Sequence, residues 1–216
     1  MQTIIEKIDL KNPYYFKDTI KDLFSWQELE NLLNLRPFVS ANRFHPTDDI
    51  EYKWPMQSWL SDVNTWPPSI LKEVISKSVC YLSDCSRVNK KINNICKTLE
   101  NKFNCPTDAH IYFSLLTGEG SEGFRKHWDP QHNLIVQIDG QTNFKIWNKK
   151  VTEGDRQVEV KENPILNVTV SSGDIIFIPK YMVHQAIPLS KRLSISFPMS
   201  DGATSQDRHW INLNNY

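Results

Sequence analysis

The chain has 216 residues, with 25 Lys+Arg balanced by 25 Asp+Glu, so its formal net charge is zero. That length suits one domain, or one with a sizeable extension, and it can bury a substantial core. A composition of 39% hydrophobic and 11% aromatic residues argues against disorder, and the charge balance leaves no basic excess to attract nucleic acid, so no such partner is expected.

The apolar runs are short. Ile175-Ile176-Phe177-Ile178 is among the longest clean ones, far below the roughly 20 residues of a membrane span. Glu6, Lys7 and Asp9 sit in the first ten residues, which is unlike a signal peptide. Cys80, Cys85, Cys96 and Cys105 make neither a Cys-x-x-Cys pair nor a zinc-type spacing with histidine. They read as thiols in a reducing compartment, and a cytoplasmic protein without membrane contact is expected.

In chain order, Ile20, Leu23, Phe24, Leu29, Leu32 and Leu33 mark one helix face or two short ones within 16–35, ended by Pro37. A Pro- and Trp-rich loop follows over 36–68, with Trp54, Trp59 and Trp66, and reads as packing or as a lid. Ser69 predicts the N-cap of a helix reaching Leu82. Val88, Ile92, Ile95, Cys96, Leu99 and Phe103 give a strong amphipathic helix.

After Cys105-Pro106 the period changes to two. Strands are predicted over 110–116, 133–138, 143–147, 157–160, 168–170, 175–178 and 193–197. Asp139-Gly140-Gln141 signals a hairpin, and Ser172-Gly173-Asp174 signals a turn. Many short strands without intervening helices predict an antiparallel barrel or sandwich. The expectation is therefore an α+β chain. Residues 1–105 are expected to form a mainly helical region packed on a catalytic barrel of 106–216, within one integrated domain.

Chemistry concentrates at His127-Trp128-Asp129 and His184. On an extended segment, residues i and i+2 share a face, so an imidazole and a carboxylate can reach one metal ion together. A third imidazole from another strand completes the two-histidine, one-carboxylate facial set of non-haem iron oxygenases. Taken alone, the three residues read equally as surface or hydrogen-bonding side chains.

Their surroundings are more specific. The first segment runs His127-Trp-Asp129-Pro-Gln-His-Asn133, followed by an apolar strand, Gln137 and Gly140; the second runs Gly173-Asp174, four apolar residues, Pro179, and His184 five residues later. Both resemble the Jumonji-C and cupin-like 2-oxoglutarate-dependent oxygenases over about residues 106–198. The resemblance implies a double-stranded β-helix (jelly roll) that holds Fe(II) on His127, Asp129 and His184. It also implies 2-oxoglutarate and O2 as co-substrates, and succinate and CO2 as co-products. Asn133 matches a family residue that hydrogen-bonds the 2-oxoglutarate C1 carboxylate or its neighbours.

One position departs from that pattern. Most of the family carries Lys or Arg fifteen residues after the first ligand, where this chain has Thr142. Lys145 is three residues further along the strand, which reverses its face. A dicarboxylate still needs a cation. Arg192 and Ser194 share a face on the last strand, and an Arg fork with a Ser hydroxyl can grip the C5 carboxylate. Thr142 and Tyr112 are further candidates for the same group. Arg125, Trp128, Gln131, His132 and Tyr181 flank the ligands and are candidates for the mouth.

The implied activity is hydroxylation of a C–H bond in a protein or peptide side chain or a small molecule. A metal-binding cupin without 2-oxoglutarate (an isomerase or another dioxygenase) and a non-catalytic barrel are the rivals. A monomer or a weak dimer is expected.

Overall fold

The computed structural model describes residues 2–47, 65–118, 123–154 and 158–200. The first part carries α1 (Gln2–Ile5), β1 (Tyr14–Phe16), α2 (Trp26–Leu33), a 3-10 turn (Arg36–Val39), β2 (Phe44–Pro46), α3 (Pro68–Lys77), β3 (Cys80–Leu82) and α4 (Lys90–Phe103). The second carries β4 (His110–Ser114), β5 (His132–Asp139), β6 (Gln141–Lys150), β7 (Leu166–Ser171), β8 (Ile175–Ile178), β9 (Met182–Pro188) and β10 (Arg192–Met199). The strands form two sheets, one of seven strands in the order β1-β8-β5-β10-β4-β3-β2 and one of three in the order β7-β6-β9. The sheets pack on each other as the expected double-stranded β-helix.

Strand alternation separates core from cavity. On β10, Leu193, Ile195 and Phe197 join Leu29, Ile92 and Leu99 of the helices in the main core. Arg192, Ser194 and Ser196 alternate with them and therefore occupy the opposite face. β8 is apolar on both faces because it is covered on both. Ile175 and Phe177 belong to the main core, while Ile176 and Ile178 pack with Phe144, Ile146 and Val170 in a second cluster.

The first 105 residues contribute more than helices. β1 pairs with β8, and β3 pairs with β4, so three short strands from this part enter the seven-stranded sheet. The helix expected within 16–35 is confined to Trp26–Leu33. Upstream, Asp18 and Asp22 adopt positive φ of 47° and 56°, a left-handed backbone that interrupts any helix. Ser25 caps α2: its hydroxyl accepts from the Glu28 N–H and donates to the Glu28 carboxylate. α3 stops at Lys77, because Cys80 and Leu82 are required as buried strand residues beside β4. α4 matches its expected span, capped by the Asn89 side chain and closed by Asn104 in the left-handed region.

β9 was not foreseen, because Met-Val-His-Gln-Ala-Ile-Pro shows no clean alternation. Val158–Val160 carry no strand, and Gln157 lies outside the described residues, as do Trp54 and Trp59 of the Trp-rich loop. Trp66 packs edge-on against Phe44 in the main core. Asp139-Gly140-Gln141 does not close the expected hairpin: β5 and β6 lie in different sheets, and the chain turns from one to the other at Gly140, whose φ is 75° and where a Cβ would lie 1.9 Å from the Lys191 carbonyl oxygen, so only glycine fits.

Asp174 ties the N-terminal segment to the barrel. Its buried carboxylate accepts from the Tyr15 hydroxyl (2.8 Å), the Asp18 N–H (2.7 Å) and the Ser171 N–H (2.9 Å). Thr19 and Ile20 donate to the neighbouring Gly173 carbonyl. Replacing Asp174 with Ala should leave these donors unsatisfied and destabilise the fold by about 2–4 kcal/mol. Urea unfolding checks this; a midpoint within error of the parent would refute it.

Candidate metal centre and co-substrate cavity

The local backbone brings the three expected ligands together. His127 precedes β5 and His184 lies on β9, and the two exchange backbone hydrogen bonds of 3.0 Å and 2.8 Å. Their rings lie with centroids 4.2 Å apart, tilted by 54°. Asp129 is held two residues beyond His127, where its carbonyl accepts from the Tyr181 N–H. Tyr181 adopts φ of 66°, the left-handed conformation that turns the chain into β9.

Each imidazole has its Nδ1 committed to a backbone carbonyl. His127 Nδ1 lies 2.8 Å from the Arg125 carbonyl oxygen, and His184 Nδ1 lies 2.9 Å from that of Met182. A carbonyl only accepts, so each Nδ1 carries a hydrogen, and the neutral ring then has its Nε2 lone pair for a metal ion. Those Nε2 atoms lie 3.9 Å and 3.6 Å from Asp129 Oδ2. One ligand atom from each of the three residues falls within 4.8 Å of the others, so one metal ion can be held among them.

Asn133 orients this carboxylate. Its amide donates to Asp129 Oδ2 at 2.9 Å, and its carbonyl accepts from the Ser196 hydroxyl at 3.1 Å. Asn133, expected at or beside the co-substrate carboxylate, lines the cavity with its side chain engaged to Asp129. Ser196 was missed, although extending the Arg192, Ser194 alternation by one step reaches it.

A cavity lies beside the triad, lined by Tyr112, Asn133, Arg192, Ser194 and Ser196 together with His127, Asp129 and His184. Arg192 is 4% exposed. Among the described residues no carboxylate pairs with it, and its Nε has no hydrogen-bond partner. Burial pulls its pKa down to about 10, while the adjacent Tyr112 acts in the opposite direction. The group remains charged at neutral pH, and a buried charge of this kind calls for an anion. Ligand set and cation together fit a metal ion and a carboxylate co-substrate.

Thr142 does not reach this cavity. It is fully buried on β6, and its hydroxyl donates to the Gln137 side chain at 3.2 Å. Lys145 alternates with buried Phe144 and Ile146 and stays partly exposed. Among the mouth candidates, Arg125 and Gln131 line an outer cleft. Trp128 and Tyr181 pack with Trp147 and Val183, while His132 stacks on Phe177 and accepts from the Lys180 N–H.

The model of one protein family, described as the JmjC domain, matches residues 82–206. The chain belongs to the JmjC-domain family. The bifunctional lysine-specific demethylase and histidyl-hydroxylase NO66 of Caenorhabditis elegans is 26% identical over 89% of this JmjC chain and 26% of its own length. Its Dictyostelium discoideum counterpart is 31% identical over 52% of this chain and 23% of its own. The ribosomal oxygenase YcfD of Escherichia coli, solved in complex with cobalt and 2-oxoglutarate, superposes with a TM-score of 0.60 at 16% identity, over 95% of this chain and 52% of that one. The chain thus spans about a quarter of the length of these curated relatives and about half of the solved one. Among the described residues no helix is long and apolar enough to cross a membrane.

Proposed function

We propose that this chain is a Fe(II)- and 2-oxoglutarate-dependent oxygenase that hydroxylates a C–H bond in a protein or peptide side chain. The observation that carries the reading is the meeting of two kinds of group in one cavity: the His127–Asp129–His184 ligand set and the buried, uncompensated Arg192. In this reading His127 Nε2, His184 Nε2 and Asp129 hold the iron. When bound, the iron and 2-oxoglutarate supply the oxidation by O2, with succinate and CO2 as co-products.

The chain's own residues position the reactants. Arg192 grips the C5 carboxylate with its fork, and Ser194 adds a hydroxyl. Tyr112, which pairs with Ser194 across β4 and β10, is at hand for the same group. Asn133 keeps the Asp129 carboxylate turned toward the two imidazoles. Phe124, Ile135 and Phe144 provide apolar walls that limit water. A peptide substrate is favoured by the named activities of the NO66 relatives. The four free cysteines are all buried, which accords with a reducing cytoplasm.

The test is succinate formation from 2-oxoglutarate with Fe(II), with and without candidate peptides. Turnover that requires both iron and 2-oxoglutarate is expected. Absence of metal binding and of any peptide-independent turnover would overturn the proposal. A metal-binding cupin without 2-oxoglutarate would instead bind the ion and ignore the dicarboxylate.

A further inference from the structure

A chain of two hydrogen bonds runs from Asp129 to β10. The Asn133 amide donates to Asp129 Oδ2 at 2.9 Å, and the Ser196 hydroxyl donates to Asn133 Oδ1 at 3.1 Å. Asp129 Oδ2 is also the oxygen that lies 3.9 Å and 3.6 Å from the Nε2 atoms of His127 and His184. The oxygen that is anchored is therefore the one that faces the two imidazoles.

Sheet pairing puts Ser196 at the end of this chain. On β5, Asn133 stands opposite Pro198 of β10 on one side and Ile178 of β8 on the other. Neither has a polar side-chain atom. Ser196 stands opposite Ile135, which makes it a diagonal neighbour of Asn133 on the same face of the sheet. Asn133 is 8% exposed and Ser196 is 5% exposed, and both line the inner cavity.

A primary amide has a donor end and an acceptor end, and a half-turn of the group exchanges them. A carboxylate only accepts, so the NH2 end of Asn133 must face Asp129 and Oδ1 must face Ser196. The Ser196 hydroxyl supplies the hydrogen that this orientation needs. Without it, Oδ1 loses its donor, and the amide is held at one end only. An amide held at one end restrains the Asp129 carboxylate less, and its rotation presents either oxygen to an ion. Partners behind a ligand set its orientation in this way, and metal affinity follows.

We infer that Ser196 is a positioning residue for the metal centre: acting through Asn133, it fixes which Asp129 oxygen is presented to the ion. The inference rests on the metal-holding part of the oxygenase reading and not on its co-substrate.

The test is Mn(II) affinity by isothermal titration, without 2-oxoglutarate, for the parent, Ser196→Ala, Asn133→Ala and the double variant. Asn133→Ala should weaken binding roughly 10- to 100-fold, and Ser196→Ala, one bond further from the ion, about five- to tenfold. The double variant should bind no more weakly than Asn133→Ala alone, because Ser196 acts only through the amide. The visible spectrum of the Co(II)-saturated protein should change in Ser196→Ala in the same direction as in Asn133→Ala, a signature that a loss of stability alone does not produce. Thermal melts of the metal-free proteins check folding. If Ser196→Ala fails to fold, Ser196→Cys, a weak donor of similar size, takes its place with the same expected loss. Parent-like affinity in the folded Ser196 variant, an unchanged Co(II) spectrum, or a double variant in which the two losses multiply overturns the inference. A parent that binds no Mn(II) overturns both the inference and the oxygenase reading. The expected order of affinities in a parent that forms no succinate would strike the oxygenase reading and leave the inference standing.

Discussion

A His184→Ala variant should bind Fe(II) or Mn(II) at least 100-fold more weakly than the parent and lose 2-oxoglutarate turnover. The size follows from its place in the ligand set. His184 is 4% exposed, its Nδ1–H is committed to the Met182 carbonyl, and its Nε2 is one of three donors within reach of a single ion. Perturbing residues that merely orient ligands costs 10–100-fold in metal affinity, and deleting a ligand costs more. The fold should survive, because the backbone hydrogen bonds between His127 and His184 do not involve the ring. Isothermal titration with Mn(II), alongside a thermal melt, separates loss of metal from loss of fold. Metal affinity unchanged in a folded variant would remove His184 from the centre.

The second large effect concerns Arg192. Arg192→Ala should raise the 2-oxoglutarate KM roughly 100-fold, since truncating one partner of a buried, hydrogen-bonded charge pair costs about 2–5 kcal/mol. Metal affinity should stay near that of the parent, because Arg192 contacts none of the three ligands through any ion pair among the described residues. Arg192→Lys should recover part of the loss: it restores the charge but not the planar fork. In the parent, 2-oxoglutarate should also raise the melting temperature, because it supplies the anion that the buried guanidinium lacks. A KM unchanged in Arg192→Ala would place the dicarboxylate elsewhere, and indifference of the parent to 2-oxoglutarate would favour the cupin alternative.

Much of this site was legible because it is local. His127 and Asp129 are two residues apart, so strand geometry alone puts them on one face. The run of β8 and the alternation of β10 are local too, and both elements lie close to where the pattern predicts them. Resemblance in two segments supplied the pairing with His184. Elements with a mixed pattern were not legible: on β9 Met182, His184 and Ala186 share one face and Val183, Gln185 and Ile187 the other, so each face mixes polar and apolar residues and no alternation results. The short strands β1, β2 and β3 have three residues each, too few to show a period, and exist because the large sheet provides their partners.

Asn133, Thr142 and Tyr81 mark the boundary between the two kinds of information. The spacing of Asn133 from His127 picked it out, but which atom it bonds depended on the approach of Asp129 and Ser196 from other segments. Thr142 matched a family position, yet Gln137 on the preceding strand, across the turn between the two sheets, captures its hydroxyl. Nothing near Tyr81 in sequence distinguishes it; that it stacks with His45 and Tyr112, 36 positions before and 31 after, is decided by sheet pairing. The sequence by itself determined the chemistry, through residue types at strand spacing, and the class of fold, through the change of period at Pro106. Only the tertiary structure decided which polar groups are spent on one another and which face the cavity, because hydrogen bonding and burial are set by neighbours that are distant in the chain.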